Sequence, residues 1–127
     1  MTPASQNSHQ GIILFAHGSR DPLWKLPIEA VARRITERQA GAQVACAYLE
    51  LTTPDLPSVT AQMVNQGASH IRIVPMFLGV GRHAREDLPE LLTELRSTHP
   101  GVVFELQPAV GEDPRLIDQI AQIAIDT

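Results

Sequence analysis

Residues 11–19 read GIILFAHGS, an apolar run that ends in a histidine, a glycine and a serine. A run that is apolar at successive positions is typical of a parallel strand buried on both faces. Further apolar runs follow at residues 43–49, 71–76 and 102–106. Stretches with helical spacing separate and follow these runs, so the order of elements is β-α-β-α-β-α-β-α. This order predicts an α/β fold, a three-layer sandwich in which a four-stranded parallel sheet carries helices on both faces.

The helical stretches are recognised by apolar residues at intervals of three and four. The first two lie at 28–35 and 56–66. The third has its apolar stripe over 88–95, and we expect Asp87 to cap it with Pro89 in its first turn. The stripe of the fourth consists of Leu116, Ile117, Ile120, Ile123 and Ala124.

The composition of the 127-residue chain excludes several classes of protein. With 43% hydrophobic and 19% charged residues, the chain suits one globular domain rather than a disordered segment. The net charge of -4 and the 4% aromatic content argue against nucleic-acid binding. The single cysteine excludes an internal disulfide and any CxxC zinc or redox site. If the protein handles a metal, its ligands must therefore be histidines and carboxylates.

The chain divides into a short tail and one domain. We expect residues 1–10, which are mostly polar, to form a flexible tail before a domain at 11–127. The first apolar run is too short for a signal peptide or a membrane span. We therefore expect a cytoplasmic protein that does not enter a membrane.

Three residues with metal-binding side chains follow consecutive strands of the predicted sheet. His17 and Glu50 come directly after the first and second strands, and His83 follows the third after a glycine-containing loop. The carboxyl ends of parallel strands share one edge of the sheet, where such folds bind their ligands. Two imidazoles and a carboxylate at this edge suit Co, Fe, Ni or Zn, and the imidazoles also suit proton transfer. Taken singly, each residue is more often a local hydrogen-bonding or capping group.

The predicted edge is locally basic although the chain is acidic. Arg20, Arg82 and Arg85 flank the two histidines. Arginine pairs well with carboxylate or phosphate, which favours an anionic ligand. The alternative is that these arginines pair with neighbouring carboxylates of the chain, such as Asp21 or Glu86.

Three blocks of the sequence carry a resemblance to a known family. They are FAHGSRDP at 15–22, AYLEL at 47–51, and VPMFLGVGRHAREDLP at 74–89. In this order they resemble the small class II tetrapyrrole chelatases, the short CbiX/SirB-like sirohydrochlorin cobalt- and ferrochelatases. The resemblance covers nearly the whole chain after the tail. The HGS motif alone would be weak, but the three blocks together are specific.

The resemblance implies a chelatase-like domain of the flavodoxin or Rossmann kind and an enzyme of the lyase class. Such an enzyme inserts a divalent metal, cobalt first and iron or nickel as alternatives, into sirohydrochlorin for cobalamin or siroheme biosynthesis. It implies that His17 and His83 are catalytic and bind the metal, with Glu50 as a further ligand. It also implies a homodimer of this half-length chain, and no cofactor beyond the substrate metal (Co2+, Fe2+ or Ni2+).

Substrate contacts are expected around these three residues. Leu51, Leu78 and Val80 could form an apolar wall for the macrocycle, and Arg20 and Arg82 could bind its carboxylates. Two alternatives stay open. A carrier of metal or tetrapyrrole on the same fold would bind without accelerating insertion. A histidine phosphatase-like hydrolase would need an arginine before the nucleophilic histidine, where this chain has Ala16.

Overall fold

The computed structural model describes residues 9–126 of the chain. Within that range the strands are β1 (Gln10–Ala16), β2 (Gln43–Tyr48), β3 (His70–Pro75) and β4 (Val103–Leu106). The helices are α1 (Leu26–Arg38), α2 (Leu56–Asn65), α3 (Arg82–Thr98) and α4 (Pro114–Ile125), and a 3-10 turn (Val110–Glu112) precedes α4. Among the described residues, no helix is both long and apolar enough to cross a membrane.

The strands form one parallel sheet in the order β2-β1-β3-β4, which confirms the predicted fold. The chain adds β2 on one side of β1 and β3 on the other, so the direction of strand addition reverses at β1. Loops that leave the carboxyl ends of strands at such a point form the usual ligand-binding crevice. Because β1 is central and its residues 13–16 are buried, His17 begins the loop in the middle of this edge.

One face of the sheet is covered by α2 and α3. Its buried cluster includes Ile13, Phe15, Ile71 and Ile73 from the sheet, Leu56, Val59 and Met63 from α2, and Leu88, Leu92 and Leu95 from α3. Full burial of one such side chain contributes about 1.5 to 3 kcal/mol. This face therefore supplies most of the apolar burial that stabilises the domain.

The opposite face is covered less completely. Helix α1 lies beside β2, where Lys25 and Glu29 are near Cys46, but none of its residues is fully buried. Helix α4 packs chiefly against the 3-10 turn and also buries no residue. The outer face of β3 and β4 is mostly polar, and there Arg72 and Glu105 form a half-exposed ion pair at 3.3 Å.

The domain begins earlier than expected. The expected tail at 1–10 includes one strand residue, because β1 begins at Gln10, and the His9 carbonyl just before it accepts hydrogen bonds from Ser69 and His70. Residues 1–8 lie outside the described residues.

Helix α3 also begins earlier than expected. It starts at Arg82 after Gly81, so the predicted cap at Asp87 is wrong and Pro89 lies inside the helix. The first turn was missed because residues 82–87 are polar apart from Ala84, which is the first side chain of α3 to enter the core. His83 therefore lies in the first turn of a helix rather than in a loop.

Candidate functional site

His17 is held at the carboxyl edge by hydrogen bonds that continue the sheet beyond β1 and β2. The Leu49 amide donates to the Ala16 carbonyl at 2.9 Å, and the Glu50 amide donates to the His17 carbonyl at 3.0 Å. The backbones of two predicted site residues are thus joined directly. Both side chains are exposed.

Gly18 permits this close approach of the two loops. Its φ is +104°, in the left-handed region that favours glycine. A Cβ at this position would lie 1.7 Å from the Glu50 carbonyl oxygen, which is a severe overlap. Any other residue at position 18 would therefore push His17 and Glu50 apart.

The residue after Glu50 has a strained backbone. Leu51 has a φ of +68°, which is uncommon for a residue with a branched side chain. Strain of this kind costs of order 1 to 3 kcal/mol and often occurs at functional sites. The Leu51 side chain is 53% exposed beside Glu50, where it could contact an apolar ligand.

The imidazole of His17 rests on a buried phenylalanine from the loop after β3. The ring centroids of His17 and Phe77 are 4.3 Å apart, with 34° between the ring planes. Phe77 is 3% exposed and makes an edge contact with Phe15, with ring centroids at 6.4 Å. Sequence reasoning missed Phe77, because the contact joins two loops and no local pattern indicates it.

The third predicted ligand, His83, is exposed in the first turn of α3. In residues 9–126, no group of three or more His, Cys, Asp or Glu side chains is arranged to hold a metal ion. The structure thus brings His17 and Glu50 together through their backbones, but it does not assemble a three-ligand centre. Coordination of one ion by all three would require these exposed side chains to turn toward each other.

The other predicted contacts differ in their surroundings. Leu78 is 71% exposed, whereas Val80 is partly buried against the core. Arg82 forms an exposed ion pair with Glu86 at 3.1 Å, which contributes little to stability and can exchange for another anion. Arg20 is exposed and, among the described residues, makes no ion pair, so its charge is available to a ligand.

Neighbouring ionisable groups are poor proton acceptors. Burial raises the pKa of Tyr48 to about 12, and burial also raises the pKa of the Cys46 thiol. Both groups therefore stay protonated near neutral pH. Proton acceptance at this edge falls to the exposed imidazoles and carboxylates.

The two cavities beside this edge are not lined by the three predicted ligands. A cavity of about 460 Å³ is lined by Arg72, Val74 and the chain that follows β4 (residues 107–110 and 112–115), and one of about 330 Å³ lies between α1 and β2. His17, Glu50 and His83 lie on an open surface instead. An open surface suits a large flat ligand or a second protein chain better than a small enclosed one.

The comparisons with known proteins identify the family of this chain. The family model described as CbiX matches residues 11–127. The chain belongs to the CbiX family. The crystal structure of a CbiX protein from Marinobacter aquaeolei VT8 superposes with a TM-score of 0.81 at 35% identity, covering 92% of this chain and 95% of that one.

Other relatives of this CbiX-family chain are longer. A sirohydrochlorin cobaltochelatase from Methanocaldococcus jannaschii is 32% identical over 71% of this chain and 63% of its own. The cobalt complex of the sirohydrochlorin chelatase SirB from Bacillus subtilis subspecies spizizenii superposes with a TM-score of 0.73 at 27% identity. That match covers 92% of this chain but only 50% of SirB. The chain thus spans less than two-thirds of these chelatases.

Proposed function

We propose that this protein inserts a divalent metal ion, Co2+ first and Fe2+ or Ni2+ as alternatives, into sirohydrochlorin. The observation that carries the proposal is the position of His17, Glu50 and His83 after three adjacent strands of a CbiX-family domain. Sirohydrochlorin is a carboxylate-rich tetrapyrrole, and its metallation would serve cobalamin or siroheme biosynthesis. We expect the enzyme to act in the cytoplasm.

The reaction places two demands on the site. Two pyrrole N–H protons must leave the ring while the metal exchanges its water for four ring nitrogens. Neutral imidazoles can accept protons near physiological pH and can also ligate a divalent ion. In this proposal His17, Glu50 and His83 hold the ion loosely, a histidine accepts one of the two pyrrole protons, and solvent water accepts the other. A site without a rigid three-ligand cluster releases its ion more readily than a storage site would.

The substrate itself would lie across the open edge. Leu51 and Leu78 are exposed apolar side chains that a flat macrocycle could cover, and Val80 is partly buried against the core. Arg20 and Arg82 are exposed cations that could meet the substrate carboxylates. No further cofactor is required by this chemistry.

We also propose that two copies of the chain pair as a homodimer. The proposal is supported by α4, whose Ile117, Ile120 and Ile123 are 52%, 41% and 66% exposed. A contiguous apolar stripe in water usually marks a protein interface. It is also supported by length, because this chain covers half of the cobalt-bound SirB chain and a second copy would supply a comparable length.

The proposed activity is tested by a timed absorbance assay of sirohydrochlorin with Co2+, Fe2+ and Ni2+. We expect insertion faster than the uncatalysed rate, and we expect His17→Ala or His83→Ala to lower it at least about 100-fold, the scale of a positioned acid–base group. Glu50→Gln should weaken Co2+ binding, measured by calorimetry. The histidine variants lose an imidazole that accepts a proton and ligates the metal, and Glu50→Gln loses a carboxylate ligand.

The matched control is His99→Ala, which removes an imidazole at the other end of α3. That end lies about 25 Å from the first turn, at 1.5 Å of rise per residue. Full activity in the His17 or His83 variant would overturn the assignment. Stable binding of sirohydrochlorin or Co2+ with insertion no faster than in buffer would identify the protein as a carrier.

A further inference from the structure

The imidazole of His17 has an unusual support. A histidine that ligates a metal normally donates its second ring N–H to a carboxylate or carbonyl, which fixes the orientation of the ring. Among residues 9–126, the ring of His17 makes no hydrogen bond, and its contact is with Phe77. This tilted ring contact restrains one face of the imidazole and leaves both nitrogens, at the edge of the ring, without a protein partner.

Phe77 is itself fixed from two sides. Its ring meets the edge of Phe15 in the core, where both side chains are almost fully buried. Its carbonyl accepts a hydrogen bond of 2.9 Å from the Gly111 amide in the 3-10 turn. The side chain of Phe77 is therefore held by a residue of β1, and its backbone is held by the 3-10 turn.

Gly111 lets the 3-10 turn press against the loop after β3. A Cβ at Gly111 would lie 1.8 Å from the Leu78 carbonyl oxygen and 2.4 Å from the Leu78 Cα. Glycine is therefore required for the Gly111–Phe77 hydrogen bond to form at this distance. The turn before α4 is thus packed on the residues that carry Phe77.

We propose that Phe77 is a positioning residue that sets the orientation of the His17 imidazole, and that the Gly111 turn holds Phe77 in place. This inference rests on the proposed role of His17 in metal insertion. It assigns Phe77 no contact with the metal or the tetrapyrrole. An apolar ring replaces the usual hydrogen-bonding partner, so the imidazole is oriented without using either nitrogen.

The test uses a phenylalanine-to-leucine series at two of the buried positions. Phe77→Leu keeps an apolar side chain but removes the flat ring beneath His17. Phe104→Leu is the matched control, because Phe104 is 6% exposed and its ring contacts His99 rather than His17. Both variants lose the same atoms from the core, so a purely structural role predicts similar consequences for both.

The first measurement is the nuclear magnetic resonance spectrum of the metal-free protein, with His17 assigned by comparison with His17→Ala. Stacking on Phe77 should shift the His17 ring protons upfield, and Phe77→Leu should remove that shift while Phe104→Leu leaves it. An unchanged shift in Phe77→Leu would overturn the proposal. This measurement does not depend on chelatase activity.

The second measurement is metal insertion at a temperature where both variants are folded. We expect Phe77→Leu to lower kcat about 10- to 100-fold, the scale expected when a reacting group is misplaced by about an ångström. The KM for sirohydrochlorin should change little. Equal kcat values for the two variants would overturn the proposal. A wild-type protein without insertion activity would overturn the proposed function instead. The positioning of His17 by Phe77 would then be tested by the magnetic resonance spectrum alone. If Phe77→Leu does not fold, Phe77→Met fills the volume without a flat ring and carries the same expectations.

Discussion

Helices α3 and α4 have similar apolar stripes but different surroundings. The stripe of α3 places Ala84, Leu88, Leu92 and Leu95 in the core. The stripe of α4 is equally regular, yet none of its residues is buried within the chain. The two helices therefore contribute differently to the protein: α3 completes the domain, and α4 offers a surface that the domain leaves uncovered.

The difference originates in the sheet as much as in the helices. The face under α3 is built from Ile13, Ile71, Ile73 and other apolar residues. The outer face of β3 and β4 carries Arg72 and Glu105, with His70 and Gln107 hydrogen-bonded to Glu105. Apart from Val74 and Val103 this face is polar, so it offers few apolar contacts to the isoleucines of α4. A helix stripe is thus stabilising only where a matching surface exists, and for α4 that surface belongs, in our proposal, to a second copy.

The largest expected effect is on the free energy of unfolding when a core residue of α3 is changed. Leu92→Ala should lower the free energy of unfolding by about 2 to 5 kcal/mol, because it removes a side chain that is 2% exposed and leaves a cavity. Urea unfolding at several protein concentrations measures the loss, which should not depend on concentration. The paired variant is Ile120→Ala. Its loss of unfolding free energy should become smaller as the protein is diluted, because Ile120 is expected to be covered only in the dimer. A large loss for Ile120→Ala in the dilute monomer would mean that α4 is packed within its own chain.

A smaller effect is expected at the surface of α4. Ile120→Asp places a charge in the middle of the apolar stripe and should raise the dimer dissociation constant at least about tenfold, which corresponds to about 1.4 kcal/mol. Analytical ultracentrifugation measures the constant. Gln122→Asp is the control, because position 122 lies on the opposite side of the helix at 100° per residue. Equal dissociation constants for the two variants would place the interface elsewhere.

The sequence predicted the fold and the proximity of two candidate site residues for identifiable reasons. Runs such as GIILFA have no polar position to expose, so a buried parallel strand was the natural interpretation. His17 and Glu50 could be placed together because the carboxyl ends of adjacent parallel strands share an edge. The start of α3 could not be predicted, because residues 82–87 carry almost no apolar periodicity. The contact between the rings of His17 and Phe77 depends on how two loops pack, and no spacing in the sequence predicts that packing.

The smallest expected effect is an acid-dependent loosening of α4 that α3 does not share. Asp113 caps α4 by accepting a hydrogen bond from the Arg115 amide at 2.9 Å, whereas α3 begins at Gly81 without a side-chain cap. Hydrogen bonds from the Arg115 side chain and amide lower the pKa of Asp113 from 3.8 to about 2. Because the pKa in the folded protein is the lower one, this contribution to stability is complete above the unfolded value near 4 and is lost as the pH falls through about 2.

Amide hydrogen exchange and the amide chemical shift of Arg115 report this titration. We expect the Arg115 shift to titrate with a midpoint near 2, and the first turn of α4 to exchange faster at that pH, while the first turn of α3 shows no matching change. Asp113→Asn keeps a side-chain acceptor at the cap but has no charge to titrate, so it should remove the pH dependence. A midpoint near the ordinary aspartate value would show that Arg115 does not stabilise the Asp113 carboxylate. In that case the Asp113 cap would make the stability of α4 no more dependent on acid than that of α3, and the two helices would differ mainly in what covers them.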